Sequence, residues 1–74
     1  MSPPLPVVSG QDVVRALEKA GFRFRRQTGS HIVLRRDDPP TMVTVPNHKV
    51  LDRGTLRAII RQSGLTVEEF LALL

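Results

Sequence analysis

The chain has two histidines, and one of them, His31, stands directly after Gly29-Ser30. Imidazole is the side chain whose ordinary pKa lets it give or take a proton near neutrality. On either side of it in sequence lie Arg25, Arg26, Arg35 and Arg36. Guanidinium groups hold their charge and grip phosphate in a two-pronged fork. A histidine among arginines suits cleavage of RNA, which carries its own nucleophile, the 2′-hydroxyl. The protein must then take that proton, stabilise the charged phosphorane and help the 5′-oxygen leave. One histidine can do the first or the last task, and arginines or backbone amides the second. The same residues have plainer readings. A histidine at a strand start can be a surface or hydrogen-bonded residue, and Ser30 a turn former. Arg53, Arg57 and Arg61, four apart, can be the solvated face of a helix.

Other chemistries find little support. There is no cysteine, hence no disulfide, no thiolate ligand and no thiol nucleophile. The acids are scattered, with Asp37-Asp38 the adjacent pair on the strand side. Three or four convergent ligands would be needed for a closed metal site, so neither a metal nor another cofactor is expected. No glycine-rich run precedes a lysine and hydroxyl, and no serine sits in a nucleophile elbow.

Charge favours a polyanionic partner. Eleven Lys and Arg oppose seven acids, and nine of the eleven are Arg. From Arg15 to Arg36 there are seven basic residues and one acid, Glu18. With 74 residues the chain supports one thin core and no large buried cavity, so a polymer lying across the outside is the natural ligand. No apolar run approaches the ~20 residues that span a bilayer, and no signal peptide is recognisable at the start, so a cytoplasmic protein is expected.

Several elements must position these groups. Pro3, Pro4 and Pro6 make residues 1–8 an extended, proline-rich lead to a single domain over 9–74. Ser9 is an N-cap with Asp12 at the third position, Val13, Val14, Leu17 and Ala20 form a stripe, and Gly21 ends the first helix, read as Gly10 to Ala20. Phe22 and Phe24 alternate with Arg23 and Arg25, the pattern of a half-buried strand whose phenylalanines serve the core. Gln27 to Ser30 is a turn. In the second strand, His31 to Arg36, Ile32 and Leu34 share one face, and His31, Val33 and Arg35 the other. Residues Asp37 to Pro40 break the chain, and Thr41 to Val45 is a third strand. After a loop over Asn47 to Leu51, Asp52 caps a helix with the stripe Leu56, Ile59 and Ile60, ended by Gly64. Thr66 and Glu69 form a capping box for a short last helix, with Leu65 and Phe70 as its hydrophobic staple. The order predicts an α+β fold like the double-stranded-RNA-binding domain, α-β-β-β-α plus a short C-terminal helix, with helices on one sheet face and the other face open.

The stretches GFRFRRQTGSHIVLRR, VTVPNH and GTLRAIIRQSGLTVEEFL, with LPVVSGQDVVRALEKAG before them, resemble the HicA family of toxin–antitoxin ribonucleases. The resemblance runs from about Leu5 to Leu74 and rests on order and spacing together. It implies the fold just described and the toxin component of a type II toxin–antitoxin system. The implied activity is metal-free, ribosome-independent cleavage of mRNA, which inhibits translation and growth. The implied partner is a HicB-like antitoxin that covers the active face. The family's catalytic histidine matches His31, with Ser30 and Gly29 adjoining it. His48 matches a frequent family histidine and is a second candidate for proton transfer. Arg25, Arg26, Arg35, Arg36, His48 and Lys49 are the expected RNA-binding residues. The competing reading is a non-catalytic double-stranded-RNA-binding module with the same fold and arginines.

Overall fold

Local hydrogen bonding sets the first helix. The computed structural model describes residues 4–74, so Pro3 of the lead lies outside them. Helix α1 (Gly10–Lys19) starts at Ser9, whose Oγ accepts from the Asp12 N–H while the Ser9 N–H donates to Asp12 Oδ2, both at 3.0 Å. The helix stops one residue before the expected end. Ala20 is its C-cap, and Gly21 follows at φ +97°. Val13, Ala16 and Leu17 are buried on the inward face, while Arg15, Glu18 and Lys19 face out. The lead is not free of the domain: Leu5 and Val8 are buried in the core cluster, and the Leu51 N–H donates to the Val8 carbonyl.

Three strands follow, β1 (Arg23–Thr28), β2 (His31–Asp37) and β3 (Pro40–Pro46), paired antiparallel in the order β1-β2-β3. Both hairpin turns are tighter than the sequence suggests. Gln27 and Thr28 belong to β1, which leaves Gly29-Ser30 as a two-residue loop with positive φ at Gly29 alone, the pattern of a II′ turn. Asp37 and Pro40 pair with each other across the second hairpin, so only Asp38-Pro39 turns there.

The half-buried pattern expected of β1 is not found; all six of its residues are exposed. Phe22 lies just before the strand and is buried, but Phe24 is 57% exposed and is not a core residue. Two causes combine. β1 is an edge strand, and the helices pack mostly over β3. The register also slips between Phe24 and Arg26, a bulge that leaves Arg25 without a partner on β2 and bends the strand.

Helix α2 (Arg53–Ser63) is capped by Asp52, whose Oδ1 accepts from the Thr55 N–H at 2.7 Å, and ends at Gly64 with φ +80°. Helix α3 (Val67–Leu73) carries the expected capping box between Thr66 and Glu69. Leu56, Ile59, Ile60 and Phe70 join Val13, Leu17, Phe22, Ile32, Leu34, Val43 and Val45 in one core on the helix side of the sheet. This is the α+β, double-stranded-RNA-binding-domain-like fold with an added C-terminal helix.

The two caps make stability pH-dependent. The Ser9 N–H, then its hydroxyl, and Arg15 hold the Asp12 carboxyl below its ordinary value of 3.8. The Thr55 N–H, then its side chain, do the same for Asp52. A carboxylate with a lowered folded-state pKa adds stability above its unfolded pKa and loses it as pH falls through the folded value. Melting temperature should therefore drop as pH falls below 3.8, and Asp52→Asn, which keeps a capping oxygen, should flatten that drop.

Candidate functional site

His31 opens the central strand. It pairs with Thr28 on β1 and Pro46 on β3, so a neighbour flanks it on each side, and its side chain is exposed. Paired residues share a face, and alternation carries the face along each strand. The face opposite the helices thus holds Thr28, His31 and Pro46 in one row. Arg26, Val33 and Thr44 form the next, and Arg23, Arg35 and Met42 the third. Val33 is only 8% exposed yet stands apart from the core cluster. It forms an apolar floor between His31 and Arg35, rimmed by Arg26 and Thr44.

The loop after β3 completes this end of the sheet. The Asn47 N–H donates to the Ser30 carbonyl at 2.6 Å, joining the loop to the turn before His31. Gln11 Nε2 donates to Asn47 Oδ1, and the Gly10 N–H donates to the His48 carbonyl at 2.9 Å. A Cβ on Gly10 would overlap the Pro46 carbonyl oxygen, so glycine is what lets α1 approach this closely. The backbone of His48 is thereby tied to α1, and His48 and Lys49 are exposed on the same loop. The turn, the start of β2 and this loop meet at one end of the sheet.

The expected arginines divide. Arg26 and Arg35 lie on the open face with His31, and exposed Arg25 sits at the bulge. Arg35 Nε is 3.3 Å from Asp37 Oδ1, a solvent-exposed pair. Arg36 does not join them. It pairs with Thr41 on the helix side and is half-buried. Its Nη2 donates to the Ser63 carbonyl at 3.2 Å and to Thr41 Oγ1, and its guanidinium lies 4.7 Å from the centre of the Phe22 ring. It ties the sheet to the C-terminal end of α2 and does not present a free cation. Arg53, Arg57 and Arg61 form the expected exposed ridge on α2.

Sequence reading missed Arg23 and Asn47. Strand alternation placed Arg23 correctly, but nothing singled it out from its neighbours. Asn47 is selected by a hydrogen bond to a turn far away in sequence. Among the described residues no group of three His, Asp or Glu is placed to hold a metal ion, and no helix is long and apolar enough to cross a membrane.

A family model described as the HicA toxin of bacterial toxin–antitoxin systems matches residues 10–65. The chain belongs to the HicA toxin family. No individual curated protein matches it. A HicA toxin is one half of a toxin–antitoxin pair. The matched span runs from the first residue of α1 to Leu65 and includes the whole sheet, the Gly29-Ser30-His31 turn and α2. Helix α3 lies beyond it, although Phe70 is fully buried in the shared core.

Proposed function

We propose that this toxin is a metal-independent endoribonuclease that cleaves mRNA and so stops translation and growth. The observation that carries the reading is the position of His31, exposed at the end of the central strand beside the apolar Val33 floor and open-face arginines. His31 gives or takes the proton at the 2′- or 5′-oxygen. Arg26, on the row next to His31, holds the phosphate and meets the charge that builds on the phosphorane, and Arg35, one row further, adds its charge to the path of the strand. Ser30 and Gly29 shape the turn that presents the imidazole, and His48 is the second proton-transfer candidate. Arg25 and Lys49 extend the contact to neighbouring phosphates. A HicB-like antitoxin silences the toxin by covering this face, and both act in the cytoplasm.

The test is cleavage of a defined mRNA in EDTA by the purified chain, with His31→Ala beside it. Cleavage by the first and not the second supports the reading; loss of activity in EDTA refutes the metal-free route. A binding-only module would bind RNA with salt-sensitive affinity and leave the mRNA and cell growth intact.

Arg36 supplies a contrast within the same set. Arg36→Met removes the contacts to Ser63 and Thr41 and the stacking on Phe22. It should cost about 2 kcal/mol of stability in a urea titration and leave RNA affinity of the folded protein unchanged. Arg26→Gln should do the reverse, weakening RNA binding with an unchanged urea midpoint.

A further inference from the structure

Beyond Val33, at the β1 edge, Arg25 and Arg35 are joined by two residues that the proposed cleavage step does not use, Arg23 and Phe24. Arg23, Phe24, Arg25, Arg35 and Asp37 line a shallow cleft of about 290 Å³ at the β1 edge. Phe24 is 57% exposed, although its cross-strand partner Leu34 is fully buried. The ring is therefore left out for want of cover at the edge, not for want of an apolar neighbour. Phe24 pairs with Leu34 on the helix side, whereas Arg23 and Arg35 stand on the open face, so the cleft wraps the β1 edge with Arg25 at the bulge between them. A single exposed apolar side chain is ordinary on a protein surface. One set among three guanidinium groups has the make-up of a nucleotide subsite, in which a base stacks on the ring and a phosphate meets the cations.

Position supports this. Arg35 is four residues along β2 from His31, about 13 Å at ~3.3 Å per residue. A strand of RNA engaged at His31 reaches the cleft by crossing the Val33 floor and turning over the β1 edge to Phe24. Charge orients the nucleotide within it. Asp37 is exposed and paired with Arg35, so its carboxylate repels phosphate from that side. Of the three arginines lining the cleft, Arg23 and Arg25 have no carboxylate at 4.0 Å or less among the described residues. We infer that the cleft is a subsite for one nucleotide of single-stranded RNA flanking the scissile bond, its base stacked on Phe24 and its phosphate held by Arg23 and Arg25. The inference rests on the RNA-cleaving reading above and adds a second anchor to it. Stacking and phosphate contact carry little sequence information, so this anchor fixes the register of the strand more than its sequence.

The experiment uses the full chain and a fluorescein-labelled, single-stranded 2′-O-methyl RNA of mixed sequence, which lacks the nucleophile and is not cleaved. Phe24→Ala should weaken binding about 10-fold with an unchanged salt dependence. Arg23→Gln should weaken it and make the slope of log affinity against log salt shallower by about 0.7. Phe24→Trp should bind at least as well as the parent, with its indole emission quenched by the RNA. Phe24 is exposed, so all three should melt like the parent. If the parent cleaves ordinary RNA but Phe24→Ala and Arg23→Gln bind and cleave equally well, the subsite is wrong and the cleavage reading stands. If the parent neither binds nor cleaves RNA, the cleavage reading falls and takes the subsite with it. If Phe24→Ala weakens binding of an acidic peptide or the antitoxin and not of RNA, the cleft is a protein-docking surface and the inference is overturned.

Discussion

His31→Ala should reduce mRNA cleavage by about 10²- to 10⁴-fold, the range typical of losing one positioned proton-transfer group. The fold should survive the change. His31 is exposed, and its side chain makes no hydrogen bond among the described residues, so stability should move by no more than ~0.5 kcal/mol. RNA affinity should change little, because the arginines on the same face remain. The combination of lost turnover with intact binding and melting is what separates a proton-transfer role from a structural one. Cells expressing His31→Ala should grow normally where the parent arrests growth. His48→Ala is the informative companion. If His48 is the second proton-transfer group, its loss should remove one limb of the pH–rate profile and His31→Ala the other. Equal cleavage by His31→Ala and the parent would end the assignment of His31.

Phe70→Ala should give the largest loss of stability, about 3–5 kcal/mol. A domain of this size has roughly 4–11 kcal/mol in all, so the variant would lose at least about a quarter of its stability. Phe70 is fully buried and belongs to the same core as Leu17, Ile59 and Ile60. It sits four residues after the Thr66 cap, in a helix of one and a half to two turns that has little stability of its own. Leu65, Leu71 and Leu73 pack against the core around it, and Lys19 Nζ donates to the Leu73 carbonyl at 3.0 Å, tying α3 to α1. The prediction matters because α3 lies outside the span that the HicA model matches. A urea midpoint shifted by the equivalent of less than ~1 kcal/mol would show that α3 merely rests on a core complete without it. Phe70→Leu should fall between the two, since it removes fewer contacts.

Much of the architecture was legible in the residues themselves. Ser9 with Asp12, Asp52, and Thr66 with Glu69 each mark a helix start, because an N-cap is a contact within three residues of sequence. Gly21 and Gly64 mark helix ends for an equally local reason, the left-handed backbone that follows the last turn. The apolar stripes fixed the inward helix faces, and the alternation from His31 to Arg35 correctly separated an open face from a buried one. Carried one residue further, the same alternation puts Arg36 on the face of Ile32 and Leu34. Grouping it with the other arginines by charge obscured this, and the tertiary contacts show it bound to Ser63 and Phe22.

What the tertiary structure alone decided depends on residues distant in sequence. Phe24 has the local pattern of a core residue, and it is exposed because β1 is an edge strand that the helices cover far less than β3. Arg25 leaves the ladder through a bulge defined by the register against β2. The loop carrying Asn47 and His48 lies beside the Gly29-Ser30-His31 turn through the Asn47–Ser30 hydrogen bond and the close approach of Gly10 to Pro46. Periodicity and capping report forces that act within a turn or a strand. Edge placement, bulge position and the meeting of loops follow from strand pairing and helix packing across the whole chain. The sequence by itself therefore determined the elements, their faces and the presence of His31 at the mouth of a turn. Only the folded chain determined which arginines stand free with it and which one is spent holding the sheet to α2.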